Sequence, residues 1–122
     1  MIHAVSPSVE RIHIVDFCVS DRIMLLRPKK GQQDAVSKAV ESIGKPYDFN
    51  YKFDDKRVYC FELVSKCYPQ SGMKEFTVKK FLGLVKRKCY LAKSIYENAF
   101  FSHIWEKCKE RRYVNMDICA KE

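Results

Sequence analysis

The spacing of apolar and polar positions along the chain predicts both strands and helices. Period-two alternation, which is typical of half-buried strands, runs from Ile12 to Phe17 and from Ile23 to Leu26, and Pro28 stops the second strand. A helical spacing follows from Gln32 to Ile43, and Gly44 stands where a helix commonly ends in a left-handed residue. The predicted apolar face of this helix consists of Ala35, Val36, Ala39, Val40 and Ile43.

A second helical spacing begins at Cys60. Apolar residues recur at Leu63, Val64 and Cys67, which places all four on one helix stripe. A cysteine in such a stripe is commonly a packed core residue. The position also has a chemical interpretation, because the unpaired N–H groups and the positive dipole end of a helix's first turn favour a thiolate. Spacing alone leaves both interpretations of Cys60 open.

Residues 44 to 64 read GKPYDFNYKFDDKRVYCFELV. This segment resembles the signature of the circularly permuted NlpC-superfamily papain-like cysteine hydrolases of the YiiX/YebB type, in which Gly-x-Pro-Tyr-Asp precedes Tyr-Cys-Ser-Glu-Leu-Val. The matching residues are Gly44, Pro46, Tyr47, Asp48, Tyr59, Cys60, Glu62, Leu63 and Val64. Phe61 departs from the signature, which has serine at that position. The resemblance is strong from 40 to 68 and weak after 75.

The resemblance implies a fold and a set of site residues. The implied fold is α+β, a permuted papain-like arrangement in which a helix bearing Cys60 packs on one face of a small antiparallel sheet. Cys60 would be the nucleophile, and Tyr47 would line the substrate cleft. Phe61 would offer its backbone N–H to an oxyanion, while its side chain would form part of the pocket wall. For Tyr47, simple packing in the core is the alternative.

The resemblance also implies that the catalytic histidine of the family is missing from this chain. In the family it lies on a strand upstream of the position of His3, so we expect a single domain over residues 1–122 that is truncated at its N-terminus. His3 aligns with the third polar position of the triad, which orients the base. His3 could move into the base role, whereas His13 is interpreted as a solvated strand residue and His103 as a packed or surface residue in a helix-like stretch.

Length and composition fit one small globular domain. The chain has 122 residues, and its apolar content of 47% is enough to bury a core. No apolar run is long enough to span a membrane, and the first residues do not form a signal peptide. We therefore expect a cytoplasmic protein.

The six cysteines predict neither a metal site nor a cofactor. They form no C-x-x-C pair and no tight group with histidine. Without a secretory signal, reduced thiols are the expectation. The cysteines are Cys18, Cys60, Cys67, Cys89, Cys108 and Cys119.

Basic residues are the second feature with a functional interpretation. The chain has 23 Lys and Arg against 15 Asp and Glu, a net charge of +8. The excess follows Lys66, in VKKFLGLVKRKCYLAK and EKCKERR. This basic C-terminal half predicts an anionic partner, although an ordinary solvated face is the alternative. No nucleic-acid motif accompanies the charge, so a nucleic-acid partner is not expected.

Two functions remain open at this stage. The first is a cysteine hydrolase, of peptidase, amidase or acyl-ester type, in which Cys60 forms an acyl-enzyme with a peptide, acyl-amide or lipid-like ester substrate. The alternative is a catalytically inactive binding domain, or truncated relative, that uses its cleft or its basic face. Residues 70 to 122 are predicted to add helix and a short strand.

Overall fold

A computed structural model describes residues 1–51 and 54–108 and has the predicted α+β fold. The strands are β1 (Ile2–Ala4), β2 (Val9–Arg11), β3 (Arg22–Pro28), β4 (Phe76–Lys80), β5 (Val85–Cys89) and β6 (Phe101–Cys108). The helices are α1 (Ile14–Phe17), α2 (Gln32–Glu41), α3 (Cys60–Cys67) and α4 (Lys93–Tyr96). Cys119 and the end of the basic run at 109–112 lie outside the described residues.

The strands pair as three separate antiparallel sheets of two strands each. β1 pairs with β2, β3 with β6, and β4 with β5. The small antiparallel sheet of the sequence-based prediction is thus divided into three pairs. Within the part of the chain that the structure describes, no helix is both long and apolar enough to cross a membrane.

The core lies between the β1–β2 pair and the helices α2 and α3. Ala4 and Val9 face each other across β1 and β2 and point into this core, because alternate residues of a strand point to opposite faces. Leu63 of α3 packs in the same cluster. The buried members of the cluster are Ala4, Val9, Ala35, Val58, Leu63 and Cys67.

α2 confirms the predicted helix but only part of its predicted apolar face. Gly44 lies beyond its end with a φ of 89°, in the left-handed region where glycine is favoured. Ala35 is buried and Ala39 packs against the core, so the small side chains let α2 approach α3. The larger residues of the predicted face are exposed: Val36, Val40 and Ile43.

The strand predicted from Ile12 to Phe17 is wrong, because residues 14–17 form the short helix α1. His13 caps this helix, since the Val15 N–H donates to its Nδ1 at 3.3 Å. Ile14 and Val15 are both exposed. With no sheet face to bury them, the alternating pattern does not produce a strand.

The helix-like interpretation of the stretch around His103 is also wrong. This stretch forms β6, which pairs with β3 from Arg22 opposite Cys108 to Pro28 opposite Phe101. Aromatic and β-branched residues favour a strand once a partner is available. The partner strand is distant in the sequence, so local spacing could not reveal it. The strand predicted from Ile23 to Leu26 is confirmed as part of β3.

The predicted start of the second helix at Cys60 is confirmed. Tyr59 precedes α3 in an extended conformation, with φ −106° and ψ 171°. The carboxylate of Glu62 accepts a hydrogen bond from the Tyr59 N–H at 3.4 Å, which satisfies one of the donors ahead of the helix. The sequence Tyr-Cys-x-Glu therefore sets where α3 begins.

Candidate active site

Cys60 is the first residue of α3 and is half-buried. The backbone N–H groups of Phe61 and Cys60 and the side chain of Tyr47 each form a hydrogen bond that lowers the pKa of the thiol. Burial acts in the opposite direction and is the larger effect, so the pKa of Cys60 is raised. The expected bias toward thiolate is therefore outweighed by desolvation, and the thiol is the resting form.

Tyr47 is held beside Cys60 by backbone hydrogen bonds. Its N–H donates to the carbonyl of Pro7 at 3.0 Å, and it forms a bridge with Val58 just before α3. Its hydroxyl shares a hydrogen bond with the Cys60 thiol. Burial, with a contribution from Cys60, raises the pKa of Tyr47, so the phenol is protonated and can donate.

Cys60, Tyr47 and Phe61 line one cavity of about 160 Å³. Tyr47 also packs against the core, as its packing interpretation expects, and a role in lining a substrate cleft stays a prediction. The cavity wall is largely aromatic and apolar, as is usual for small-molecule sites. The lining residues are Tyr47, Tyr51, Tyr59, Cys60, Phe61, Val78, Cys89, Tyr90 and Leu91.

The β4–β5 hairpin supplies the far wall of this cavity. Val78 of β4 and Cys89 of β5 line it. The N–H of Tyr90 donates to the hydroxyl of Tyr59 at 2.6 Å, which joins the end of β5 to the start of α3. Sequence reasoning missed this wall because it interpreted the segment as a basic face. The apolar run Cys89 to Leu91 is the signal that could have indicated it.

Among the described residues, none of the three histidines forms a hydrogen bond with Cys60 or lines its cavity. Nε2 of His3 lies 3.0 Å from Oε1 of Glu10 on β2. His3 alternates with Ala4 along β1 and points to the face of the β1–β2 pair opposite the core. His13 caps α1, and Nε2 of His103 lies 3.7 Å from Glu106. Cys60 and His3 are thus not brought together, although both were predicted site residues.

Two buried carboxylates lie near the start of α3. Asp48 and Glu62 are each 1% exposed. Oδ1 of Asp48 accepts from the Asn50 N–H at 2.9 Å, as expected for a turn residue, and its Oδ2 has no hydrogen-bond partner among the described residues. Glu62 pairs with Lys66 at 3.1 Å, yet burial raises its pKa. Sequence reasoning missed the burial of both carboxylates.

A second cavity, of about 320 Å³, lies on the side of α3 that carries Glu62 and Lys66. Acidic side chains line most of it, together with Ser65 and Tyr90. It is larger than the cavity at Cys60, but no nucleophilic thiol opens into it. We therefore place the candidate chemistry at Cys60.

Cys18, Cys60, Cys67 and Cys89 are free thiols. Cys108 is disulfide-bonded, so the expectation of reduced thiols is wrong for this residue. Across residues 1–51 and 54–108, no three histidine, cysteine or acidic side chains are grouped closely enough to hold a metal ion.

Comparison with known proteins identifies one family. Residues 2–106 match the family described as permuted papain-like amidase enzyme, YaeF/YiiX, C92 family. Searches among curated proteins and among solved structures gave no match. The family match spans most of the 122 residues and includes α3, the cavity and the β4–β5 hairpin. The chain therefore belongs to the permuted papain-like amidase family.

Proposed function

We propose that this protein is a cysteine amidase in which Cys60 is the nucleophile. The observation that carries the proposal is the position of the thiol at the start of α3, facing a cavity, with the N–H groups of Cys60 and Phe61 and the Tyr47 hydroxyl around it. Hydrogen-bond donors beside a nucleophile are what a developing oxyanion requires. Family membership supports amide chemistry at this site.

The proposed reaction has two steps. The Cys60 sulfur, after losing its proton to a base, attacks the amide carbonyl, and a carbon–sulfur bond forms. The carbon–nitrogen bond then breaks, and the leaving amine takes up a proton. Water attacks the resulting thioester, which releases a carboxylic acid and restores the thiol. The Tyr47 phenol, protonated at neutral pH, donates to the sulfur or the oxyanion rather than accepting its proton.

His3 is our candidate for the base. Its imidazole is already paired with the Glu10 carboxylate at 3.0 Å, the kind of contact that orients a catalytic imidazole. His3 is not among the groups that hydrogen-bond to the thiol, so this role requires β1 to shift until His3 faces Cys60. A thiol of raised pKa depends on such a base more than a preformed thiolate does.

The substrates that we propose are an amide of peptide or acyl type or, by the same chemistry, a lipid-like ester. The cavity is about the size of engineered apolar cavities that bind benzene, so it suits a ring or a short apolar chain next to the scissile carbonyl. The cytoplasm stays the predicted location.

A catalytically inactive binding domain is the second candidate. One specific observation favours it: the side chain that hydrogen-bonds to the Cys60 thiol is a tyrosine and not a histidine. In this case the cavity binds an apolar ligand without cleaving it, and Cys60 is a packed thiol.

Hydrolysis of a panel of fluorogenic acyl-coumarin amides and esters tests the proposal. Cys60→Ala should reduce kcat/KM by at least about 1000-fold, because no other group supplies the nucleophile. Cys18→Ala is the matched control, since Cys18 is an exposed free thiol, and it should leave activity unchanged. Activity that survives Cys60→Ala would exclude the cysteine mechanism.

The role of His3 is tested in the same assay. His3→Ala should reduce kcat by roughly 100- to 10,000-fold if His3 is the general base. His103→Ala, which changes an exposed histidine on β6, should have no effect. A chain that hydrolyses nothing in the panel, but whose Cys60 is protected from alkylation by an apolar amide, would be the inactive binding domain.

A further inference from the structure

The tip of the β4–β5 hairpin exposes three large apolar side chains. Phe81 is 76% exposed, Leu84 is 86% exposed, and Leu82 reaches 105% of its reference exposure. They are adjacent in space because they lie in one tight turn between Lys80 and Val85, which are paired across the hairpin. We propose that this tip and the lysines behind it bind the surface of an anionic lipid bilayer.

Turn formation does not explain these apolar residues. Phe81, Leu82 and Gly83 have φ values of 51°, 55° and 86°, all in the left-handed region. Asparagine, aspartate and glycine adopt that region most easily, and tight hairpins normally use them. A bulky phenylalanine and a leucine are strained there. Their presence at the most exposed point of the hairpin therefore indicates a contact beyond the fold itself.

The outer face of the hairpin is basic. Side chains alternate along both strands, so Thr77 and Lys79 of β4 share the exposed face with Lys86 and Lys88 of β5. Lys79 lies directly opposite Lys86, and like charges in that position repel. Among the ion pairs formed between described residues, none includes Lys79, Lys86 or Lys88. An anionic surface would relieve this repulsion.

The other two basic residues of the hairpin are engaged with the domain. Lys80 lies over the ring of Tyr51, with its Nζ 4.7 Å from the ring centroid. Arg87 donates to the carbonyl of Asn50. These contacts hold the inner face of the hairpin against the segment before α3. The three outer lysines and the apolar tip are therefore presented outward on an anchored support.

A bilayer is the partner that matches both properties. Its headgroup layer offers negative charge to the lysines, and the acyl region just below offers an apolar medium to Phe81, Leu82 and Leu84. A nucleic acid would bind the lysines and stack a base on Phe81, but it would leave Leu82 and Leu84 in water. A second copy of this chain carries the same net charge of +8 and would be repelled.

Bilayer binding would also position the cavity at Cys60. Val78 and Cys89, in the same hairpin, line that cavity. β4 has five residues, so the tip lies roughly 16 Å from the other end of the strand. The Cys60 cavity would therefore be held close to the headgroups. Binding of the hairpin to a bilayer does not require that Cys60 be catalytic.

Vesicle flotation tests the proposal with the full chain. We expect the protein to float with vesicles of equimolar phosphatidylcholine and phosphatidylserine, and to bind pure phosphatidylcholine vesicles far more weakly. The triple variant Phe81→Ser, Leu82→Ser, Leu84→Ser should lose at least about 1000-fold in affinity, because each buried side chain of this size is worth about tenfold or more. The variant Lys79→Gln, Lys86→Gln, Lys88→Gln should lose on the order of 100-fold, at about fivefold per lysine.

Matched variants control for apolar content and for net charge. The variant Val15→Ser, Val19→Ser, Val36→Ser removes three exposed apolar side chains elsewhere, and Lys29→Gln, Lys30→Gln, Lys56→Gln removes three exposed lysines elsewhere. Neither should change vesicle binding by more than about twofold. Circular dichroism would establish that each variant is folded.

Three results would overturn the proposal. The first is no flotation with anionic vesicles. The second is a loss of binding in the control lysine variant equal to that in the hairpin lysine variant, which would mean that only the net charge of the protein matters. The third is unchanged vesicle binding by the serine-tip variant together with full competition by a single-stranded RNA oligonucleotide. That third result would assign the basic face to nucleic acid.

Discussion

At the scale of the residue, two effects act in opposite directions on the pKa of the Cys60 thiol. The start of α3 and the hydroxyl of Tyr47 favour the thiolate, whereas burial disfavours it and is the larger effect. The raised pKa of Cys60 means that the site needs a proton acceptor, rather than a helix terminus alone, to generate a nucleophile.

Alkylation of Cys60 by iodoacetamide should therefore require alkaline pH. We expect the rate, followed by mass spectrometry of the Cys60 peptide, to reach half its plateau above the ordinary cysteine value of about 8.5. The same peptide in urea-unfolded protein provides the reference, and exposed Cys18 provides the control for reagent quality. A midpoint below the reference would mean that the folded chain does stabilise the thiolate.

Tyr47→Phe should raise the pKa of Cys60 further. The substitution removes the hydroxyl that donates to the sulfur while the ring continues to fill its place. The alkylation profile should move to higher pH, by an amount that measures this one hydrogen bond. Tyr51→Phe is the matched control, since Tyr51 lines the same cavity and is not among the groups that bond to the thiol. Equal shifts in the two variants would contradict the assignment.

The sequence predicted part of this site. Cys60 and Phe61 are adjacent and Tyr47 belongs to the same sequence signature, and the three do line one cavity, although their chemical roles stay predictions. His3 was placed by alignment alone. The direction in which its side chain points depends on which face of β1 packs on the core. Ala4, on the opposite face from His3, is the residue that packs there. That choice depends on tertiary packing, which a three-residue strand does not reveal.

At the scale of the element, α3 is the helix that supports both the core and the site. Leu63→Ala should lower the free energy of unfolding by about 2–5 kcal/mol, because Leu63 is buried in the main cluster and its loss leaves a cavity. Val36→Ala on the exposed face of α2 should cost no more than about 0.5 kcal/mol. Urea denaturation of both variants measures the difference, and similar costs would contradict the observed packing.

Local signals predicted α2 and α3 correctly but not α1 or β6. α2 and α3 have helical spacing and identifiable ends, with Gly44 after α2 and Tyr59 and Glu62 at the start of α3. β6 needs β3 as its partner, and α1 results from a cap by His13 that competes with an unsupported strand. Long-range strand pairing and side-chain capping determine the secondary structure of such segments, and neither produces a periodic spacing of apolar residues in the sequence.

At the scale of the whole molecule, the two most exposed large apolar side chains of the described residues, Leu82 and Leu84, lie at the tip of the β4–β5 hairpin. The hairpin tip has highly exposed apolar residues in a turn, so brief chymotrypsin treatment should cut residues 81–84 before any other described segment. Peptide mapping by mass spectrometry identifies the first cut. The serine-tip variant is the control and should resist cleavage there. An earlier cut in β3 or β6 would mean that this pair, and not the tip, is the least protected region.

The hydrogen bond from the Tyr90 N–H to the Tyr59 hydroxyl makes the Tyr90 amide a probe of motion at the site. The amide belongs to the hairpin end and the hydroxyl to the start of α3, and both residues line the Cys60 cavity. Exchange of this amide with deuterium requires the two elements to separate. Its protection factor thus reports how often the cavity opens, without any substrate, and a ligand that fills the cavity should slow the exchange.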